Sequence, residues 1–138
     1  GNSSLLSTAG PKMYQHTLIE NAGGTNVASD LVDSYWSEID YEKLLTYNPD
    51  YIILASDATY TVESVLNDPQ LKDCKAVVNK NVYQFPSDVE SWDSPIPASV
   101  LGNLWLASTI HNDLYSTADY EKTFVEFYQT FYGFNAKK

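Results

Sequence analysis

Apolar residues recur at helical spacing soon after Pro11. Tyr14, Leu18 and Ala22 lie four apart and predict a helix over residues 12–22. The Ser7-Thr8-Ala9-Gly10-Pro11 run reads as its entry. Gly23-Gly24 ends it by accepting positive φ at the C-cap. Residues 25–34 form a mixed connector. Asp40 then opens a second, short helix, because its carboxylate can accept from a free N–H of the first turn. Lys43 stands where a full capping box would need Glu or Gln. Pro49 stops this helix and biases Asn48 away from helical geometry. Residues 51–55, Tyr-Ile-Ile-Leu-Ala, are a short apolar run that suits a strand covered on both faces.

Further on, Val62, Val65 and Leu66 predict a helix within 59–67, broken by Asp68-Pro69 and resumed as a turn over 70–74. Residues 76–81 turn the chain. Val82-Tyr83-Gln84-Phe85 alternates as a strand, and Pro86 closes it. Residues 87–97 form a loop holding Trp92 and Asp93. Leu101, Leu104, Trp105 and Ser108 place one stripe along a helix over 98–111. Trp105 belongs to the core on that periodicity. Residues 117–132 form a last helix with Tyr120, Phe124, Phe127 and Phe131 as its aromatic face and Gly133 as its C-cap. Helices alternating with buried strands predict an α/β fold. Two strands alone are marginal in water, so a third is expected from the first residues or from chain preceding Gly1.

The chain has 138 residues, which suffices for one domain, 1–138, with a real core. Eight basic residues against eighteen acidic ones give a formal charge of −10, and none of the basic residues is Arg. That balance excludes a nucleic-acid partner, which would need clustered Lys and Arg. It also removes any bidentate guanidinium clamp on an anion. With Cys74 alone, no disulfide can form within the chain. No apolar run is long enough to span a bilayer, and no signal peptide precedes Gly1. The Gly-Asn-Ser-Ser opening reads as an expression scar or a cut end, so part of a longer chain is expected.

Candidate chemistry is sparse. His16, His111 and Cys74 are far apart and lack ligand spacing, so no metal site or cofactor is expected. His111 fits a helix C-terminus, where the dipole favours it. No Ser sits in a Gly-x-Ser-x-Gly elbow. Paired carboxylates for glycoside chemistry are conceivable among eighteen acids, with loop tryptophans stacking on sugar; that is the rival reading, a glycan-binding or glycan-hydrolysing domain. Trp36 and Trp92 fall in predicted loops, either facing the crevice at the strand ends or packed over the core as lids. Glu42 lies on the predicted outer side of its helix, opposite Leu44 and Leu45. It is either a solvated charge or a docking contact for a basic pocket.

Five segments in fixed order resemble one family. Residues 18–28, Leu-Ile-Glu-Asn-Ala-Gly-Gly-Thr-Asn-Val-Ala, resemble the Ala-Gly-Gly-x-Asn-Val-Ala segment of class III substrate-binding proteins of ABC importers. Residues 36–55 resemble that family's Trp-Pro-x-Val-Ser-x-Glu-x-Leu-x-x-Asn-Pro-Asp-x-Ile-Ile run. Residues 66–69 with 76–83, residues 97–107 and residues 127–133 fit in the same order. Ser37 departs from the usual Pro, and Ala98 stands where many siderophore and cobalamin members carry Arg.

The resemblance implies a three-layer α/β/α lobe with a short, mostly parallel central sheet flanked by helices. It implies the C-terminal lobe of a two-lobed protein whose N-terminal lobe and linking helix are absent. Such proteins bind a metal complex (iron–siderophore, haem, corrinoid or a related chelate) between the lobes and deliver it to ABC permease subunits. They are extracytoplasmic, here membrane-anchored as a lipoprotein in the full-length protein, and are not enzymes. By the same resemblance Tyr14, Trp36, Trp92 and Asp93 rim the cleft, with the turn over residues 7–10. Glu42 falls at the family's permease-docking carboxylate, and the acidic surface suits a basic permease rim.

Overall fold

The structure is a computed structural model describing residues 1 and 3–137. Its first strand, β1 (Ser7–Ala9), leads into α1 (Tyr14–Asn21), and Gly23 supplies the positive φ, +80°, that turns the chain out of it. A single 3-10 turn (Val27–Asp30) and β2 (Trp36–Glu38) follow. Next come α2 (Tyr41–Tyr47), β3 (Ile52–Leu54), α3 (Val62–Leu66), α4 (Lys75–Val78) and β4 (Val82–Gln84). The chain closes with α5 (Ser99–Ile110) and α6 (Thr117–Tyr132).

Local chemistry sets several boundaries. Asp40 accepts from Lys43 N at 2.7 Å at the start of α2, and Asn48 ends that helix in the left-handed region at φ +44°. Thr61 and Ser64 cap α3 reciprocally, and Ser116 and Asp119 do the same for α6, which Gly133 ends at φ +73°.

β3 and β4 pair in parallel, Ile52 opposite Val82 and Leu54 opposite Gln84. The period of two sends alternate side chains to opposite faces. Ile53, Tyr83 and Phe85 pack against a cluster built from α1, α5 and α6, with Leu18, Leu101, Trp105, Leu106, Tyr120, Phe124 and Tyr128. Ile52, Leu54 and Val82 face a second cluster with Leu44, Val65, Leu71, Ala76 and Val77 from α2, α3, α4 and their connections. The parallel pair thus lies between two helical layers, as a buried parallel sheet requires.

The first residues do supply a strand, but β1 pairs antiparallel with β2 in a second small sheet, Ala9 opposite Trp36. Trp36 is therefore a strand residue and not a loop one. The structure also puts a helix, α4, where a chain turn is expected, and leaves 70–74 as turns. On α6 the buried face is Tyr120, Phe124 and Tyr128, while Phe131 is 72% exposed. Leu45 is likewise exposed, so α2 is anchored inward by buried Leu44, with Tyr41 packed partly against the same cluster. Among the described residues no helix is long and apolar enough to cross a membrane.

Candidate functional site

A cavity of about 470 Å³ runs along β3 and is lined on that side by the continuous segment 50–55. Ile19, Leu106 and Ile110 line it from one helical layer, and Leu5, Ile39 and Leu44 from the other. Ser7, Thr8, Trp36 and Asp93 also line it and belong to the region beyond the C-terminal end of β3. In open α/β sheets that end is where ligands bind.

The rim there is built from four elements. Asp93, 4% exposed, accepts from Ser56 N at 2.8 Å and from Ser56 Oγ at 2.6 Å, so the loop after β4 is tied to the residue that leaves β3. Its carbonyl accepts from Gln15 Nε2 at 2.9 Å, which joins α1 to the same loop. Tyr14 Oη and Ser99 Oγ share a 2.7 Å hydrogen bond. That bond holds together the N-termini of α1 and α5, neither of which has a side-chain cap. First-turn N–H groups and the aligned peptide dipoles make such ends electropositive. On β2, Trp36 is 45% exposed and Tyr35 beside it 63% exposed. Lys12 bridges Asp33 at 2.9 Å and lies 6.0 Å from the Tyr35 ring centre.

Of the residues expected at the cleft, Trp36 and Asp93 line the cavity and Tyr14 joins the adjoining helix ends. Trp92 does not point there. It is 3% exposed, packs edge-on against Phe124 with ring centres 5.6 Å apart, and donates from Nε1 to Tyr128 Oη at 3.1 Å. Tyr128 Oη in turn donates to Glu90 Oε2 at 2.9 Å. Apolar burial together with a satisfied indole N–H makes Trp92 a core residue, and the expectation of a cleft contact is corrected.

Glu42 lies exposed in the first turn of α2. That helix is fixed from outside: Asp30 accepts from Lys43 Nζ at 2.7 Å and from Tyr47 Oη, and Lys43 sits 4.6 Å over the Tyr47 ring. The Lys43 and Tyr47 hydrogen bonds hold the Asp30 carboxyl below its ordinary range.

The acids lining the cavity are Asp50 and Asp93. They flank opposite ends of the extended segment, about 15–20 Å apart at strand rise. A glycosidase pair works within about 9.5 Å, so the geometry does not favour the rival reading. Among the described residues no group of three or more His, Cys, Asp and Glu side chains could hold a metal ion. His111 Nε2 lies 3.0 Å from the Gly23 carbonyl and donates to it, tying the end of α5 to the turn after α1. Sequence reasoning missed Ser56, Gln15 and Ser99. Only Ser56 had a signal, as the first polar residue after a buried strand.

Comparison with known proteins places the chain in a family. The profile of the periplasmic binding proteins matches residues 4–89. The molybdate-binding protein MolA of Haemophilus influenzae is 30% identical over 128 residues, which cover 92% of this chain and 36% of MolA. Its molybdate-bound structure superposes with a TM-score of 0.80 at 28% identity, over 96% of this chain and 40% of that one. A periplasmic solute-binding protein of Veillonella parvula superposes at a TM-score of 0.87 with 26% identity, over 99% of this chain and 42% of that one. The chain spans well under half the length of these relatives. It belongs to the periplasmic binding protein family, of the class III type, and corresponds to part of such a protein.

Proposed function

We propose that this chain is the C-terminal lobe of an extracytoplasmic solute-binding protein that captures a metal-containing solute at the rim described above and delivers it to an ABC permease. The N-terminal lobe and linking helix then belong to the rest of the polypeptide, and the rim faces that lobe. One observation carries the reading. The Tyr14–Ser99 bond brings together two helix N-termini without side-chain caps, Gln15 beside Tyr14 holds the Asp93 loop that is bonded to Ser56 just after β3, and the exposed Trp36 lines the same cavity as Asp93. Such ends attract negative charge without any Arg, and an exposed indole offers a flat apolar contact. The solute class is an iron–siderophore, haem, corrinoid or related chelate, or a metal oxyanion of the kind MolA is described as binding. The electrostatics favour its anionic members.

Calorimetric titration of the longer protein with molybdate, haemin, cyanocobalamin and a ferric catecholate tests the reading. At least one probe is expected to bind, and Trp36→Ala to weaken it tenfold or more. Silence from all four, or equal affinity in the variant, overturns the rim assignment.

Delivery is assigned to Glu42, which α2 presents to solvent while Asp30 holds the helix in place. Glu42→Arg in the longer protein is expected to lower uptake by cells at least tenfold and leave solute affinity unchanged. Unchanged uptake returns Glu42 to an ordinary solvated charge. Membrane anchoring as a lipoprotein belongs to the same proposal and is checked by labelling with a radioactive fatty acid.

A further inference from the structure

The rim carries a single basic residue. Of the eight Lys in the chain, only Lys12 falls in the segments that build it, 7–14, 33–38, 56–57 and 92–99. Glu38 and Asp57 lie in those same segments, and the chain as a whole has a formal charge of −10. An anionic solute approaching this edge meets carboxylates, and Lys12 is the side chain that offsets them. Lys43 cannot serve. It is held by Asp30 at 2.7 Å and lies over the Tyr47 ring on α2.

The contacts of Lys12 leave its charge exchangeable. Its ammonium lies 2.9 Å from Asp33 Oδ1, and among the described residues no other carboxylate pairs with it. The ion pair is not what holds the two loops together. Backbone bonds do that: Gly10 N donates to Tyr35 O at 2.6 Å, and Lys12 N to Ser34 O at 3.1 Å. Asp33 stands at φ +64°, in a turn closed by bonds from Ser34 N and Ser34 Oγ to Leu31 O. The turn, and not the ion pair, therefore sets its place. The Lys12 side chain is 46% exposed and that of Asp33 81% exposed, so the pair lies in water, where such pairs are weak. The Tyr35 ring, 63% exposed, flanks the ammonium with its centre 6.0 Å away. It favours the positive charge without competing for the N–H donors, of which an ammonium has three.

We propose that Lys12 is the anion-recognising residue of the rim: its ammonium leaves Asp33 and pairs with a carboxylate, phenolate or oxyanion group carried by the solute. Asp33 is its resting partner in the empty protein and competes with the solute for it. The difference that drives the exchange is solvent. An anion held between two lobes is shielded from water, and a charge pair is stronger there than on an open surface. Competition from Asp33 also discriminates against solutes without an exposed anionic group. This inference rests on the rim being the solute site, and it narrows the solute to the anionic members of its class.

Calorimetric titration of the longer protein and its variants tests this, with molybdate, haemin and a ferric catecholate as anionic probes and cyanocobalamin as one without net charge. Lys12→Gln is expected to weaken the anionic probe that binds by about tenfold or more, and to flatten its salt dependence between about 20 and 300 mM. Asp33→Asn is expected to do the opposite and tighten it by about threefold or more. The double variant should match Lys12→Gln alone, because Asp33 acts only through Lys12. Thermal midpoints of both single variants should stay within about 2 °C of the parent, as an exposed pair predicts. The opposite signs separate recognition from structure, since a pair that merely shaped the loops would be broken by either substitution and affinity would fall in both. That joint fall overturns the proposal, and so does an unchanged affinity in either single variant. Binding of cyanocobalamin alone overturns it as well. All three results leave the rim as the solute site. Silence from all four probes removes the rim reading and this inference with it.

Discussion

Asp93 shows how one buried carboxylate can organise a rim. It accepts twice from Ser56, whose N–H and hydroxyl are themselves buried, and its carbonyl holds Gln15. Asp93→Ala would leave two buried donors unsatisfied and should cost about 2–3 kcal/mol. Asp93→Asn keeps an acceptor oxygen and should cost less. Urea unfolding at pH 7 measures both, and equal losses would mean that only packing matters at this position. In the sequence, Asp93 is expected at the cleft only through the family resemblance of the loop that carries it. Its partner was not legible, because Ser56 is 37 residues away in the chain.

At the scale of elements, α5 and the loop carrying Trp92 and Asp93 approach closely at Gly102. A Cβ added there would stand 2.6 Å from the Trp92 carbonyl oxygen and 3.0 Å from Phe85. The helix would gain up to about 1 kcal/mol from Ala in place of Gly. The overlap falls on a backbone oxygen that cannot swing aside, and such overpacking costs about 1–3 kcal/mol. Gly102→Ala should therefore lower the thermal midpoint by several degrees, and an unchanged or raised midpoint would show that the loop yields freely. Long elements such as α5 and α6 were legible because several turns repeat one period and α6 carries its own caps. The short ones were not. Lys75 N, at the start of α4, donates to Asn48 Oδ1 at 2.9 Å, a cap from 27 residues away. Three-residue β2 exists because β1 pairs with it, and three residues contain too little alternation to announce a strand.

At the scale of the whole molecule, buried tyrosines set an alkaline limit on stability. Burial first, and the neighbouring Glu90 next among the raising influences, push the Tyr128 hydroxyl up to about 12, although the Trp92 hydrogen bond opposes them. Burial pushes Tyr120 upward as well. Below pH 10 both the folded and unfolded chains hold these protons and the contribution is complete. Between pH 10 and 12 the unfolded chain loses its tyrosine proton while the fold retains it, so stability falls as pH rises, by on the order of 2–3 kcal/mol for Tyr128. Unfolding midpoints from pH 8 to 11.5 should show that fall. Tyr128→Phe should flatten it, even though its lost bond to Trp92 lowers stability at every pH. A slope unchanged in the variant would assign the alkaline loss to other groups.

The same scale separates what the chain announces from what only its folding decides. The sequence by itself determined the α/β class, the long helices, both buried strands, the cap at Asp40, the stop at Asn48-Pro49 and the family, because each rests on neighbours in the chain or on a run of motifs in order. Tertiary structure alone turned Trp92 into the core, laid Trp36 on a strand and brought Tyr14 to Ser99 and Asp93 to Ser56. It also left one edge of β3 facing a cavity between two apolar clusters. Those outcomes depend on contacts between residues 27 to 85 positions apart, where no local periodicity or propensity reaches.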